Sequence, residues 1–347
     1  MILHIAEMLR TQKKGHISFH TPGHKKAGED ITELSYSDNL FSPRGVLGAA
    51  ERDIAEILGA NKSFILTDGS TCGVFSMIWC VKAAGGKKLA VPVFSHPSVF
   101  HACEVMGVEI VPIPQKTAYG IPVQPSAKDM AKALDKADAL LLTSPDYYGF
   151  LANLKDAREL CGKQRKPLLI DGAHGGHLHF CEPHAGKFAD LWVDGVHKSL
   201  PANTQGAVVS AKNENWGVFL QDAVKKFRTT SPSYPIMASV EYAVKYPRNE
   251  KIEEAAIAFK ARHGCANNDD WTKILIPFGE NCGKAQAYLE EHGVYPEFND
   301  GNYLLFYLSP CTKETELKTL EAILENLLRG EVKKDAPCGE IPMYGED

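Results

Sequence analysis

Between residues 62 and 211 short apolar runs of strand length alternate with helical segments, and this alternation restricts the fold more than any other property of the chain. SFIL leads through the polar turn TDGST into the apolar helix CGVFSMIWCVKAA. KLAVP leads through a turn at Ser95 to Ser98 into VFHACEVMG, and VEIVPIP, ADALLLT, the helix LKDARELCGKQRK, PLLIDG, DLWVDG and AVVSAK follow. Strands separated by helices pair in parallel, so the expected class is α/β, a mostly parallel central sheet flanked by helices. Ligands of such sheets collect beyond the C-terminal strand ends. Thr67 to Thr71, His96, Thr143, Asp171 and Lys198 all fall at or just past those ends.

The stretch from Pro167 to Gly206 carries the most chemistry. Leu168 to Ile170 is an apolar run that delivers Asp171 to a strand end and then turns through Gly172, Gly175 and Gly176. The next apolar segment ends at His197 and Lys198. A carboxylate at one strand end and a lysine after its neighbour suggest a pyridoxal phosphate (PLP) site, where lysine holds the aldehyde and the acid pairs with the pyridinium nitrogen. Asp-Gly at a strand end and a surface His-Lys pair are also common without any cofactor. Asp68, Gly69, Ser70 and Thr71 place backbone N–H groups and two hydroxyls at a helix start, which suits a phosphate and equally suits a plain N-cap.

Composition narrows the classes. The chain has 347 residues, a net charge of −5 and no long Lys/Arg block, so nothing in it points to nucleic acid or an anionic membrane. The start, with Arg10, Lys13 and Lys14 after a short amphipathic run, does not read as a signal peptide, and no apolar stretch is long enough to span a bilayer. Nine cysteines without a CxxC pair suit reduced thiols, and the expected location is the cytoplasm. His174, His177, His179, Cys181 and His184 form a ligand-like cluster, but the Gly-rich turn through them offers no helical i, i+4 pair, so no metal is expected. The spacing predicts an N-terminal arm over residues 1–45 with a short helix, a large domain over 46–245, and a small C-terminal α/β domain over 246–347. In the last of these the reading places three helices and one strand, YLLFYLS.

FHTPGHKKAG, LTDGSTCG, SHPSVFHACEVMG, LLLTSPDYYGF, LIDGAHGGH, VHKSLPANTQGA and RTTSPSYPIMAS occur in one order along nearly the whole chain. In these motifs the sequence resembles the ornithine/lysine/arginine decarboxylase family of fold-type-I, aspartate-aminotransferase-like PLP enzymes. The resemblance implies PLP as cofactor, Lys198 as the Schiff-base lysine, Asp171 on the ring nitrogen and His96 stacked on the ring, adding electron withdrawal if protonated. It further implies Ser70, Thr71 and His197 around the phosphate and His174 near the phenolic oxygen; Thr143, placed at the same rim by the strand-end reading alone, is a further cofactor-binding candidate. Thr230, Ser231 and Ser233 would lie close to the phosphate, and a homodimer with shared active sites is implied.

The sequence departs from the family pattern at Gly195 and Val196, where hydroxyl residues are usual, and at Pro97 and Asp146. The family usually has a further C-terminal domain, so the chain reads as a short form. The implied activity is decarboxylation of lysine, ornithine or arginine to the amine. Another fold-type-I reaction, such as transamination or a lyase reaction, and a catalytically reduced PLP-binding paralogue are the alternatives. No arginine lies between Arg262 and Arg329, where a bidentate clamp for an aminotransferase substrate's carboxylate would be sought.

Overall fold

The computed structural model describes residues 2–11, 17–25, 30–180, 184–330 and 341–342. The chain forms two compact units, one of Met1–Ile113, Asp129–Ser144 and Leu154–Tyr246, the other of Pro114–Lys128, Pro145–Asn153 and Pro247–Asp347. In chain order the strands are β1 (Lys62–Leu66), β2 (Lys88–Pro92), β3 (Glu109–Ile113), β4 (Thr117–Ala118), β5 (Ile121–Pro122), β6 (Ala139–Thr143), β7 (Leu168–Gly172), β8 (Leu191–Asp194), β9 (Ala207–Ala211), β10 (Lys273–Pro277), β11 (Phe298–Asn299) and β12 (Tyr303–Tyr307). The first unit holds a seven-stranded sheet of order β1-β9-β8-β7-β6-β2-β3. β8, β7, β6, β2 and β3 pair in parallel, and β9 runs antiparallel to both its neighbours.

The strand residues of β7, β8 and β9 are buried throughout, as expected for strands covered on both faces. The helices of the first unit include α1 (His4–Thr11), α2 (Val46–Leu58), α3 (Gly69–Ala83) and α4 (Pro97–Met106). α3 is apolar nearly all round and lies in the core cluster. A Cβ on Gly73 would lie 2.4 Å from Val193 Cγ2, so this glycine lets α3 pack directly on β8. That contact sets the start of α3 beside the end of β8.

α1 is held by its own open end. The His4 and Ile5 N–H groups each donate at 2.8 Å to the buried Glu241 carboxylate, the charge a helix N-terminus favours. Lys245 Nζ closes the group, 2.9 Å from Glu241 and 2.6 Å from Asp53.

In the second unit β10, β12 and β11 form an antiparallel sheet, whose apolar residues pack with those of helices at Glu250–His263, Cys282–Glu291 and Glu314–Arg329. The sequence reading places one strand there. KILIP is its antiparallel partner, and its fully buried first residue, Lys273, masks the apolar run. Lys273 is neutralised by Asp270 at 2.9 Å and lies 4.7 Å from the Tyr307 ring centroid. The YYGF turn belongs to this unit too. Asp146 accepts from the Tyr148 and Phe150 N–H groups, and Gly149, at φ 93°, leaves no room for a Cβ between Asn268 and Lys273.

Candidate active site

The parallel register lays out the centre of the site. Thr143 pairs with Asp171, and Gly172 with Asp194, so the ends of β6, β7 and β8 stand side by side. Asp171 is 2% exposed, and one carboxylate oxygen accepts from the Ala173 N–H at 3.2 Å. Burial pushes its pKa up, opposed by that hydrogen bond and by the charges of His96 and Lys198. Those influences place His96, Asp171 and Lys198 in one electrostatic neighbourhood.

Lys198 sits in the one-turn helix Val196–Ser199 that follows β8, and its Nζ lies 3.0 Å from His174 Nε2. Close packing fixes that helix. A Cβ on Gly195 would come within 2.3 Å of the Ala173 carbonyl oxygen and 2.7 Å of Ser70 Oγ. The absent hydroxyl side chain at 195 is therefore excluded by space, and residues 70, 173 and 195 form a single contact.

His96 is the N-cap of α4, where its Nδ1 accepts from the Ser98 N–H at 3.2 Å and lies 2.8 Å from Ser98 Oγ. Burial lowers its pKa; the charge of Asp171 opposes this, while those of Lys198 and His101 lower it further. Because Nδ1 accepts from the Ser98 N–H, that nitrogen carries no proton in this arrangement, and the ring is in its neutral form. His197 faces Gly206 O at 2.9 Å through Nδ1 and is also lowered by burial. Facing a carbonyl oxygen, Nδ1 must be the donor, so Nε2 could donate to a phosphate only in the doubly protonated ring.

Ser70 and Thr71 lie in the first turn of α3. Gly69 takes φ 74°, a conformation that glycine tolerates, and its N–H donates to Gln205 O at 2.9 Å. Ser70 Oγ, Thr143 Oγ1 and Ser95 Oγ are buried and have no hydrogen-bond partner among the described residues. Three unpaired hydroxyls at the ends of β1, β2 and β6 are costly in a dry interior, so they point to a polar ligand. Together with the buried carboxylate and the lysine they fit PLP. Thr71 is exposed, and so is Ser231, whose N–H donates to Thr229 Oγ1 at 3.1 Å; Ser233 caps the helix Tyr234–Val244.

The histidines after Asp171 have other partners. His184 Nδ1 accepts from Gly186 N–H, so its Nε2 carries the ring proton, 3.5 Å from Asp194. His179 Nδ1 lies 2.6 Å from Gly176 O, and Cys181 falls outside the described residues. Sequence reasoning singled out Ser95 only as a turn residue and missed Gln205 and Arg228. A loop carbonyl and a lone arginine carry no spacing signal.

The profile "Orn/Lys/Arg decarboxylase, major domain" matches residues 27–262. YaaO of Bacillus subtilis, an uncharacterised protein, is 32% identical over 72% of this chain, which spans 57% of its length. An arginine decarboxylase of Halalkalibacterium halodurans is 32% identical, with 95% of this chain and 77% of that protein covered. The lysine decarboxylase LdcF of Francisella novicida superposes with a TM-score of 0.78 at 20% identity, over 94% of this chain and 60% of its own. A serine palmitoyltransferase of Sphingomonas wittichii gives a TM-score of 0.64 at 17% identity, over 81% and 76%. These structures share the fold-type-I architecture of PLP enzymes, which is the α/β fold expected from the sequence. The chain belongs to the Orn/Lys/Arg decarboxylase family and carries its major domain.

Proposed function

We propose that the chain binds PLP and decarboxylates a basic amino acid, with arginine the first candidate because arginine decarboxylases are among its relatives. The observation that carries the reading is the meeting of Lys198, His174, Asp171 and His96 at the ends of parallel strands. Lys198 would hold the cofactor's aldehyde through Nζ, and PLP bound there would supply an electron sink for the bond broken at the substrate α-carbon. Asp171, buried and already oriented by the Ala173 N–H, would hold the proton on the ring nitrogen. His96, neutral and fixed by Ser98, would cover one ring face and keep water from it. Ser70, Thr71 and the open N–H groups of α3 would hold the phosphate, and Thr143 would contribute its unpaired hydroxyl at the rim. Lys198 and His174 would move protons between Nζ and Nε2 near the substrate.

No arginine stands between Arg262 and Arg329 to clamp an α-carboxylate, which favours decarboxylation over transamination. A homodimer with shared sites is part of the proposal. Mixing Lys198→Ala chains with Ser231→Ala/Ser233→Ala chains should then restore activity through hybrid sites. Among the described residues no helix is long and apolar enough to cross a membrane. The test is CO₂ release from L-arginine, L-lysine and L-ornithine by the PLP-loaded protein. Release from none of them, with cofactor incorporated, would point to a different PLP reaction.

A further inference from the structure

Asp68 occupies the N-cap position of α3 and is of the residue type that caps helices, yet its carboxylate makes no bond to its own helix. It turns the other way. Oδ2 accepts from the Thr229 N–H at 3.2 Å and lies 3.5 Å from Thr67 Oγ1. Next to Thr229 is Arg228, a buried guanidinium whose charge interacts with that of Asp68. Arg228 is itself fixed. It donates to Ile65 O at 3.2 Å and Leu40 O at 2.6 Å, lies 3.6 Å from Glu51, and stacks 5.3 Å from the Phe41 ring centroid. Arg228 thus joins the N-terminal arm, β1 and the loop that begins the RTTSPSY motif.

The consequence concerns the anion site. The first N–H groups of a helix can be satisfied by a capping side chain or by a bound anion, and the two compete for the same donors. An Asp68 carboxylate swung onto α3 would also place a negative charge where a phosphate must sit. Ser70 Oγ, buried in the same turn, has no hydrogen-bond partner among the described residues and could serve the same anion.

We propose that Arg228 is a positioning residue that, with the Thr229 N–H, holds the Asp68 carboxylate off the start of α3 and so keeps that start open for the cofactor's phosphate. The inference rests on the PLP reading and adds what governs the phosphate half of the site. Arg228 touches neither cofactor nor substrate in this scheme. It acts through Asp68.

The test compares the affinities of the apoprotein for PLP and for pyridoxal, which lacks the phosphate. Arg228→Gln should lower the PLP-to-pyridoxal affinity ratio by about tenfold, the size expected for losing a charge-assisted arrangement, while pyridoxal binding changes by less than about twofold. Arg228→Lys, which keeps the charge, should stay within about threefold of the unmodified protein. Asp68→Ala in the Arg228→Gln background should restore the ratio, because the competing carboxylate is gone, and a merely structural defect would not be rescued in this way. Equal weakening of both ligands in Arg228→Gln, or no rescue by Asp68→Ala, would overturn the proposal. If Arg228→Gln does not fold, Asp68→Ala alone decides: PLP affinity kept or raised supports the proposal, and a tenfold loss contradicts it. Should the unmodified protein bind neither PLP nor pyridoxal, the PLP reading fails, and inorganic phosphate becomes the probe. Phosphate should then slow hydrogen exchange at residues 69–72 in Asp68→Ala at least as much as in the unmodified protein, and a weaker effect in the variant would overturn the positioning role.

Discussion

Lys198 Nζ and His174 Nε2 lie 3.0 Å apart, joining the turn after β7 to the short helix after β8. A lysine ammonium has no lone pair, so while it is charged His174 must accept at Nε2 and carry its own proton, if neutral, on Nδ1. Replacing His174 by Ala removes this acceptor without touching the lysine. Cofactor incorporation should persist while turnover falls by about 10²-fold, the range for losing one acid–base group. Single-turnover kinetics with the best amino-acid substrate would check this, and unchanged turnover would remove His174 from the proton path.

Asp171 is the second target. Asp171→Asn keeps the shape and removes the charge, so PLP should stay bound while turnover falls by several orders of magnitude, on the order of 10³-fold or more. Measuring bound cofactor and CO₂ release on the same sample separates the two effects. Normal release would take Asp171 out of the chemistry.

A third expectation uses the neutral state of His96. If the ring contributes contact area, His96→Phe should bind PLP within about threefold of the unmodified protein, whereas His96→Ala should weaken binding by about tenfold. An equal loss in both variants would mean that the imidazole nitrogens matter.

Much of this site was legible from sequence because strand ends announce themselves. LLIDG stops at an acid, ADALLLT stops at a hydroxyl, and βα alternation puts such ends on one edge. What was not legible depends on side chains meeting across the fold. The protonation state of His96 follows from its bond to Ser98, and the exclusion of a side chain at Gly195 follows from the Ala173 carbonyl, neither of which has a spacing signature. β10 was hidden for a similar reason. Its first residue is a lysine whose buried charge makes sense only beside Asp270.

Gly195 supplies a fourth expectation. At φ −84° its backbone would suit any residue, so the constraint is space alone. Gly195→Ala should destabilise the protein by about 1–3 kcal/mol through overpacking against Ala173 O and Ser70 Oγ, and should weaken PLP binding with it. Thermal unfolding and a cofactor titration check both parts. A fully stable variant would show that the turn yields.

The buried pair Glu51 and Arg228 gives the pH dependence. Burial pushes the Glu51 pKa from 4.5 up to about 7, against the pull of Arg228. The folded state therefore holds a proton that the unfolded chain releases, and this group's contribution to stability falls as pH rises from about 4.5 to about 7, by at most about 3 kcal/mol. Glu51→Gln cannot ionise. Its stability relative to the unmodified protein should improve across that interval, and denaturant unfolding at pH 5 and pH 8 would show it. An unchanged difference between the two pH values would mean that Glu51 is ionised throughout.

The most direct measurement is borohydride reduction of the PLP-loaded protein followed by peptide mass mapping. The account expects a single reduced pyridoxyl phosphate adduct on the peptide carrying Lys198, lost in Lys198→Ala, whose fold should be unaffected. An adduct on another lysine, or incorporation undiminished in Lys198→Ala, would contradict it.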